Sequence, residues 1–157
     1  MRRVFIIRKD LHLKAGKLAA MVGHCCEAYW TNLLKAAFKQ AVEDGLDDQN
    51  TDDAVGFPVY VDYEIWHNYV NDIFTKTICE ARNINQLKKI EIYINDIKSE
   101  LNIDLEEGID WGYINDKCLT DLTPENPDGT CTIGAWFKPL PDDIAHRISK
   151  KFPLYRD

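Results

Sequence analysis

The chain has 157 residues, 45% of them apolar and 29% charged, with a formal net charge of −7. That balance suits an ordinary soluble globular protein, and no apolar run approaches the ~20 residues that cross a bilayer. The charge is uneven: residues 43–64 hold eight acidic side chains and no Lys or Arg, whereas residues 1–17 hold six basic ones against Asp10 alone. The net value therefore does not exclude a polyanionic partner.

"RVFIIRKD" (3–10) is a short branched apolar run bounded by charge and reads as a buried strand. Its apolar stretch is too short for a signal peptide. The five cysteines are odd in number, form no C-x-x-C pair and include adjacent Cys25 and Cys26, so a reducing, cytoplasmic setting is expected. After a turn through "LHLKAG", Leu18, Val22, Cys25, Tyr29 and Leu33 form an apolar stripe, predicting a helix from about Lys17 to Glu43 that ends before Gly45. A polar, acidic loop is expected over about 44–58. Ile65, Tyr69 and Ile73 suggest a short helix in 61–73, with Tyr60, Tyr63, Trp66 and Tyr69 as its packing face.

A strand is expected over 74–81 and a helix over 84–101, striped by Ile84, Leu87, Ile90, Ile94, Ile97 and Leu101. Two more strands, 109–116 and 130–138, flank the turn-rich "TPENPDG". A last helix follows within 139–152, acidic early and basic late. The order β-α-(α)-β-α-β-β-α predicts an α/β fold, a small mixed four-stranded sheet flanked by helices, in one domain spanning 1–157.

Gly16-Lys17 suggests a P-loop, but the glycine needed five residues before Gly16 is Leu11. What survives is a lysine in the first turn of a helix, beside free N–H groups that suit an anion such as an RNA phosphate; spacing alone favours a plain solvent-exposed lysine. His24 lies two turns beyond Lys17 on the same side. His24, Cys25 and Cys26 point about 100° apart and cannot share one metal ion, so packing thiols are expected and no metal. Asp116 ends a strand, where a carboxylate can orient a nucleophile or accept a proton, although such aspartates more often only start turns. Thr130 and Thr132 share one strand face.

In this order the segments "VFIIRKDLHLKAGKLAAMVGHCCEAY", "FTKTICEARNINQLKKI" and "GYINDKCLTDLTPENPDGTCTIGAWFKPLPDDI" resemble the peptidyl-tRNA hydrolases of the archaeal and eukaryotic type, over nearly the whole chain apart from the acidic insert. The resemblance implies a mixed four-stranded sheet and hydrolysis of the ester joining a peptide to the tRNA 3′ ribose, with peptidyl-tRNA as partner and no cofactor. It carries the family's lysine onto Lys17, its helix histidine onto His24, its aspartate onto Asp116, and its threonines onto Thr120 and Thr132. Lys17 would hold a phosphate or polarise the ester carbonyl, Asp116 would orient or deprotonate a water, and Thr132 would donate to the oxyanion. Arg2, Arg3, Arg8, Lys9 and Lys14 are expected along the tRNA backbone, with Lys117 as a displaced positive charge. A homodimer is a further expectation.

Two departures stand out. Met21 occupies the usual glutamine position, and "KCL" (117–119) replaces a segment containing glycine, where Cys118 would adopt a positive φ less freely. With the acidic insert, they motivate an alternative, an inactive hydrolase-like domain that binds tRNA or a protein.

Overall fold

A computed structural model describes residues 1–49 and 53–156. Strand β1 (Arg3–Arg8) is buried at all six positions, as a strand covered on both faces requires. Helix α1 (Ala15–Asp44) follows and stops at Gly45, whose φ of 68° gives the left-handed cap glycine adopts without strain. A short helix α2 (Tyr63–Ile65) starts from Asp62, whose Oδ1 accepts the Ile65 N–H at 3.1 Å, and continues as a π turn over Trp66–Val70. Strand β2 (Lys76–Ala81) leads to α3 (Ile84–Lys88) and α4 (Ile90–Leu101). Strands β3 (Trp111–Asp116) and β4 (Cys131–Phe137) precede the last helix, α5 (Asp142–Ser149).

The sheet order is β2-β1-β4-β3. β1 and β2 are parallel, as the intervening helices require, and β4 runs antiparallel to both β1 and β3. This is the expected mixed four-stranded α/β sheet. Close packing of β1 on β4 depends on Gly134, where a Cβ would lie 2.4 Å from the Ile6 carbonyl oxygen. One face buries Val4, Ile6, Ala135 and Phe137 against Leu87, Ile94, Ile144 and Ile148. The other buries Phe5, Ile7, Ile133 and Trp136 against Met21, Cys25 and Tyr29 of α1 and Ile65 and Tyr69 beyond it.

Several details differ from the sequence expectation. The helix expected over 84–101 tightens at Lys89, whose N–H bonds back to Gln86 O at 3.2 Å, an i→i−3 turn that separates α3 from α4. On α1 the fully buried row is Met21, Cys25 and Tyr29, while Leu18, Val22 and Leu33 are half-buried. Of the four aromatics expected to pack together, only Tyr69 is buried; Tyr60, Tyr63 and Trp66 are exposed, and Ile65 completes the packing face while Ile73 stays outside it.

The acidic insert leaves the far end of α1. Asp48 and Gly56 exchange main-chain hydrogen bonds at 2.7 and 3.0 Å, and Phe57 meets Phe38 edge-on at 5.3 Å. Asp52 lies outside the described residues. Lys17 and Asp44 sit 27 residues apart on one helix, about 40 Å at the helical rise, so that end of the insert is several Debye lengths from Lys17.

Candidate active site

Strand β1 delivers the chain into the turn before α1, and the helix opens without a side-chain cap on Lys14 and without an acidic residue in its first turn. Its first N–H groups are therefore left to solvent or to an anion. Lys17, the third residue of α1, reaches across to the end of β3. Its Nζ donates to Asp116 Oδ2 at 2.6 Å, joining residues 99 apart in sequence. The side chains are 21% and 12% exposed, so the pair is sheltered but reachable. Among the described residues the other two Lys17 N–H groups have no partner.

The second carboxylate oxygen of Asp116 is held from its own strand end. Asp116 Oδ1 accepts the Cys118 N–H at 2.8 Å, which requires Cys118 to take a φ of 56°. Cys118 thus adopts the left-handed conformation for which glycine would be the unstrained choice, and the Asp116 hydrogen bond offsets the strain. Partial burial opposes ionisation of Asp116. The hydrogen bonds from Lys17 Nζ and the Cys118 N–H, with the charges of Lys17 and His24, outweigh it and hold the carboxyl below its ordinary value.

Asp116 also lines a cleft of about 570 Å³ between α1 and the outer edge of β3, whose walls include Met21, His24, Asn32, Ile114, Asn115 and Trp136. Met21, where the resemblance led to an expectation of glutamine, is 2% exposed, belongs to the same buried cluster as Phe5, Cys25 and Trp136, and lines the cleft. An amide there would be pressed into apolar surroundings, so the methionine is consistent with its position.

The other expected site residues divide. His24 is exposed on the cleft wall, close enough for its charge to act on Asp116. Thr132 is one hydrogen bond away from the neighbouring residue: its hydroxyl donates to Asn115 Oδ1 at 2.8 Å and accepts from Asn126 Nδ2 at 3.1 Å. Its single proton is thus committed to Asn115. Thr120, Lys14 and Lys117 are exposed, and their side chains make no hydrogen bond or ion pair among the described residues.

The basic N-terminal residues are largely consumed inside the molecule, contrary to the phosphate contacts expected of them. The Arg8 guanidinium is 2% exposed, and all five of its N–H groups are taken by Asp10, Glu125 and Thr132 O. Burial opposes its charge, but the hydrogen bonds it donates to the Asp10 and Glu125 carboxylates more than restore it and raise its pKa. Arg3 is fully buried and donates to the carbonyls of Phe137, Cys25 and Cys26, with its guanidinium 4.9 Å from the Phe5 ring centroid. Arg2 pairs with Asp142 and Lys9 with Glu80. Of the six basic residues in 1–17, only Lys14 has a wholly uncommitted side chain among the described residues.

Cys25 is buried with its thiol toward Ala135 O at 4.0 Å, and burial raises its pKa to about 12, which leaves an inert packing thiol. Sequence reasoning missed Asn115, Asn126 and Glu125. Asn126 and Glu125 lie in a segment that reads only as turn chemistry, and nothing local marks Asn115.

The family model described as Peptidyl-tRNA hydrolase PTH2 matches residues 1–155, and no curated protein matches the chain. The match includes both Lys17 and Asp116 and extends across every strand and helix described above. On that coverage the chain belongs to the PTH2 peptidyl-tRNA hydrolase family.

Proposed function

We propose that this chain hydrolyses the ester between a peptide and the 3′ ribose of tRNA, with Lys17 and Asp116 as its catalytic pair. The observation that carries the reading is the sheltered 2.6 Å contact between them, with Asp116 on the wall of an open cleft. The two spare Lys17 N–H groups suit the ester carbonyl, where negative charge develops. Asp116, fixed through both oxygens, accepts a hydrogen bond from the attacking water. As the ammonium is drawn to the oxyanion its hold on Asp116 weakens, and the carboxylate becomes a better base at the moment the water must lose a proton. Collapse of the tetrahedral intermediate breaks the carbon–oxygen bond to the ribose, and the departing oxygen takes the proton back from Asp116. Thr132 fixes Asn115 at the cleft rather than donating directly. Lys14, Lys117 and the open N-terminus of α1 supply positive potential for the tRNA backbone.

Release of peptide from purified peptidyl-tRNA tests this. The wild-type chain should exceed the no-enzyme rate, and Lys17→Ala and Asp116→Asn should each lose most of that excess. Wild-type chain that binds tRNA but leaves the ester at its no-enzyme rate would instead establish the binding-domain alternative. Full activity in both variants would dismiss the pair.

A further inference from the structure

Strand β3 is one of the two edge strands of the sheet, and it ends at Asp116. The Lys138 N–H bonds to Asp110 O at 2.7 Å, which turns the main chain of Asp110, Gly112 and Ile114 toward β4. By alternation the N–H and C=O groups of Trp111, Tyr113 and Asn115 point away from the sheet; the register shift between Ile114 and Asn115 places its extra residue, Ile133, on β4, so β3 itself keeps its alternation. Those of Trp111 are closed off by its own approach loop, with Gly108 N to Trp111 O at 2.7 Å and Trp111 N to Glu106 O at 3.4 Å. No such bond covers Tyr113 or Asn115 among the described residues. The side chains leave this edge open: Tyr113 Oη donates to Glu91 Oε1 at 2.8 Å on one face, and Ile114 packs toward α1 on the other. Both residues line the same cleft as Asp116.

We infer that this two-residue stretch of open edge is the binding site for the peptide moiety of the substrate, which adds to β3 as a short parallel strand. The inference rests on the proposed hydrolysis, because that reading places the ester carbon beside Lys17 and Asp116. The acyl chain must leave from that point, and the cleft continues from it along β3. Tyr113 lies three residues from Asp116, about 10 Å at strand rise, which an extended peptide spans in about three residues. Main-chain pairing accepts any side chain, as a hydrolase acting on arbitrary peptides needs. The capped main chain of Trp111 ends the ladder, so the gain from peptide length should stop there.

The test is kcat/KM on N-acetylaminoacyl-tRNA and on di-, tri- and pentapeptidyl-tRNA sharing one C-terminal residue. The value should rise about tenfold up to the tripeptide, the worth of one or two main-chain hydrogen bonds, and then level off. Methylating the tripeptide amide nitrogens one at a time should remove the gain at one position and spare its neighbour. Tyr113→Pro deletes an outward N–H without touching the β4 ladder and should lose the length preference, whereas Tyr113→Val should keep it. Hydrolysis indifferent to length and to amide methylation, with Lys17 dependence intact, overturns the edge site and leaves the proposed activity standing. Failure to hydrolyse any of the four substrates overturns both.

Discussion

Two ion clusters flank the end of the β3–β4 hairpin, and they are built on opposite terms. At one, Arg8 is sealed beneath Asp10 and Glu125 with every donor used. At the other, Lys17 meets Asp116 one to one, with two donors spare and a cleft alongside. A saturated cluster has nothing left to offer a ligand and serves to pin strand, turn and hairpin together. An under-committed pair is a weak fastener but keeps hydrogen-bonding capacity for a substrate. Both would read simply as charge in the sequence; satisfaction, rather than charge, separates scaffold from candidate site.

The comparison breaks if the two clusters respond alike to mutation. The largest expected effect is on the open pair: Asp116→Asn should lower kcat/KM by about 10²- to 10³-fold while unfolding free energy changes by no more than about 1 kcal/mol. Arg8→Met should show the reverse, a stability loss of about 2–3 kcal/mol by denaturant unfolding. That figure sits below that for a fully buried pair, because Asp10 and Glu125 reach solvent and can rehydrate. Its activity at temperatures where it stays folded should remain within about threefold of wild type. Loss of activity without loss of stability in Arg8→Met would return that arginine to the substrate.

A smaller effect sharpens the electrostatic side. Asp116 is held below its ordinary value in the folded protein, so its contribution to stability is fully present above the unfolded carboxylate value of about 3.9 and is lost as pH falls through the lowered folded value. The acid limb of wild-type activity due to Asp116 should therefore lie below that ordinary value. Lys17→Gln removes the ammonium and leaves the burial of Asp116 less opposed, so the acid limb of the residual activity should move to higher pH. A pH–rate profile of both proteins decides this, and an unmoved limb would mean that Asp116 does not titrate in the reaction.

Much of this was legible in the sequence, and the reasons differ between fold and site. The run "VFII", the α1 stripe and the turn-rich segment before β4 each follow a local period, so strand, helix and hairpin could be read from neighbours along the chain. The roles of the arginines could not. Arg3 and Arg8 bound the apolar run and look like its solvated ends, but their partners at Phe137 and Glu125 lie 134 and 117 residues away. Lys17 and Asp116 were singled out because the resemblance carries two family positions onto them; spacing alone would not have joined residues 99 apart. The placement of Met21 also needed three dimensions, since its apolar neighbours come from β1 and β4 as well as α1.

The smallest expected effect concerns the residue that aims Asp116. Cys118 holds a φ of 56° and gives its N–H to Asp116 Oδ1, so its main chain rather than its thiol organises the carboxylate. Glycine adopts that conformation freely, but it also has more freedom to lose on folding. Cys118→Gly should therefore change stability by less than about 1 kcal/mol, with relief of strain setting the sign as stabilising, and keep kcat/KM within about twofold. Cys118→Val, whose branched side chain resists positive φ, should destabilise the turn and lower activity by releasing one oxygen of Asp116. Thermal unfolding and kcat/KM measured on both variants separate main chain from thiol: if glycine costs as much activity as valine, the sulfur itself takes part.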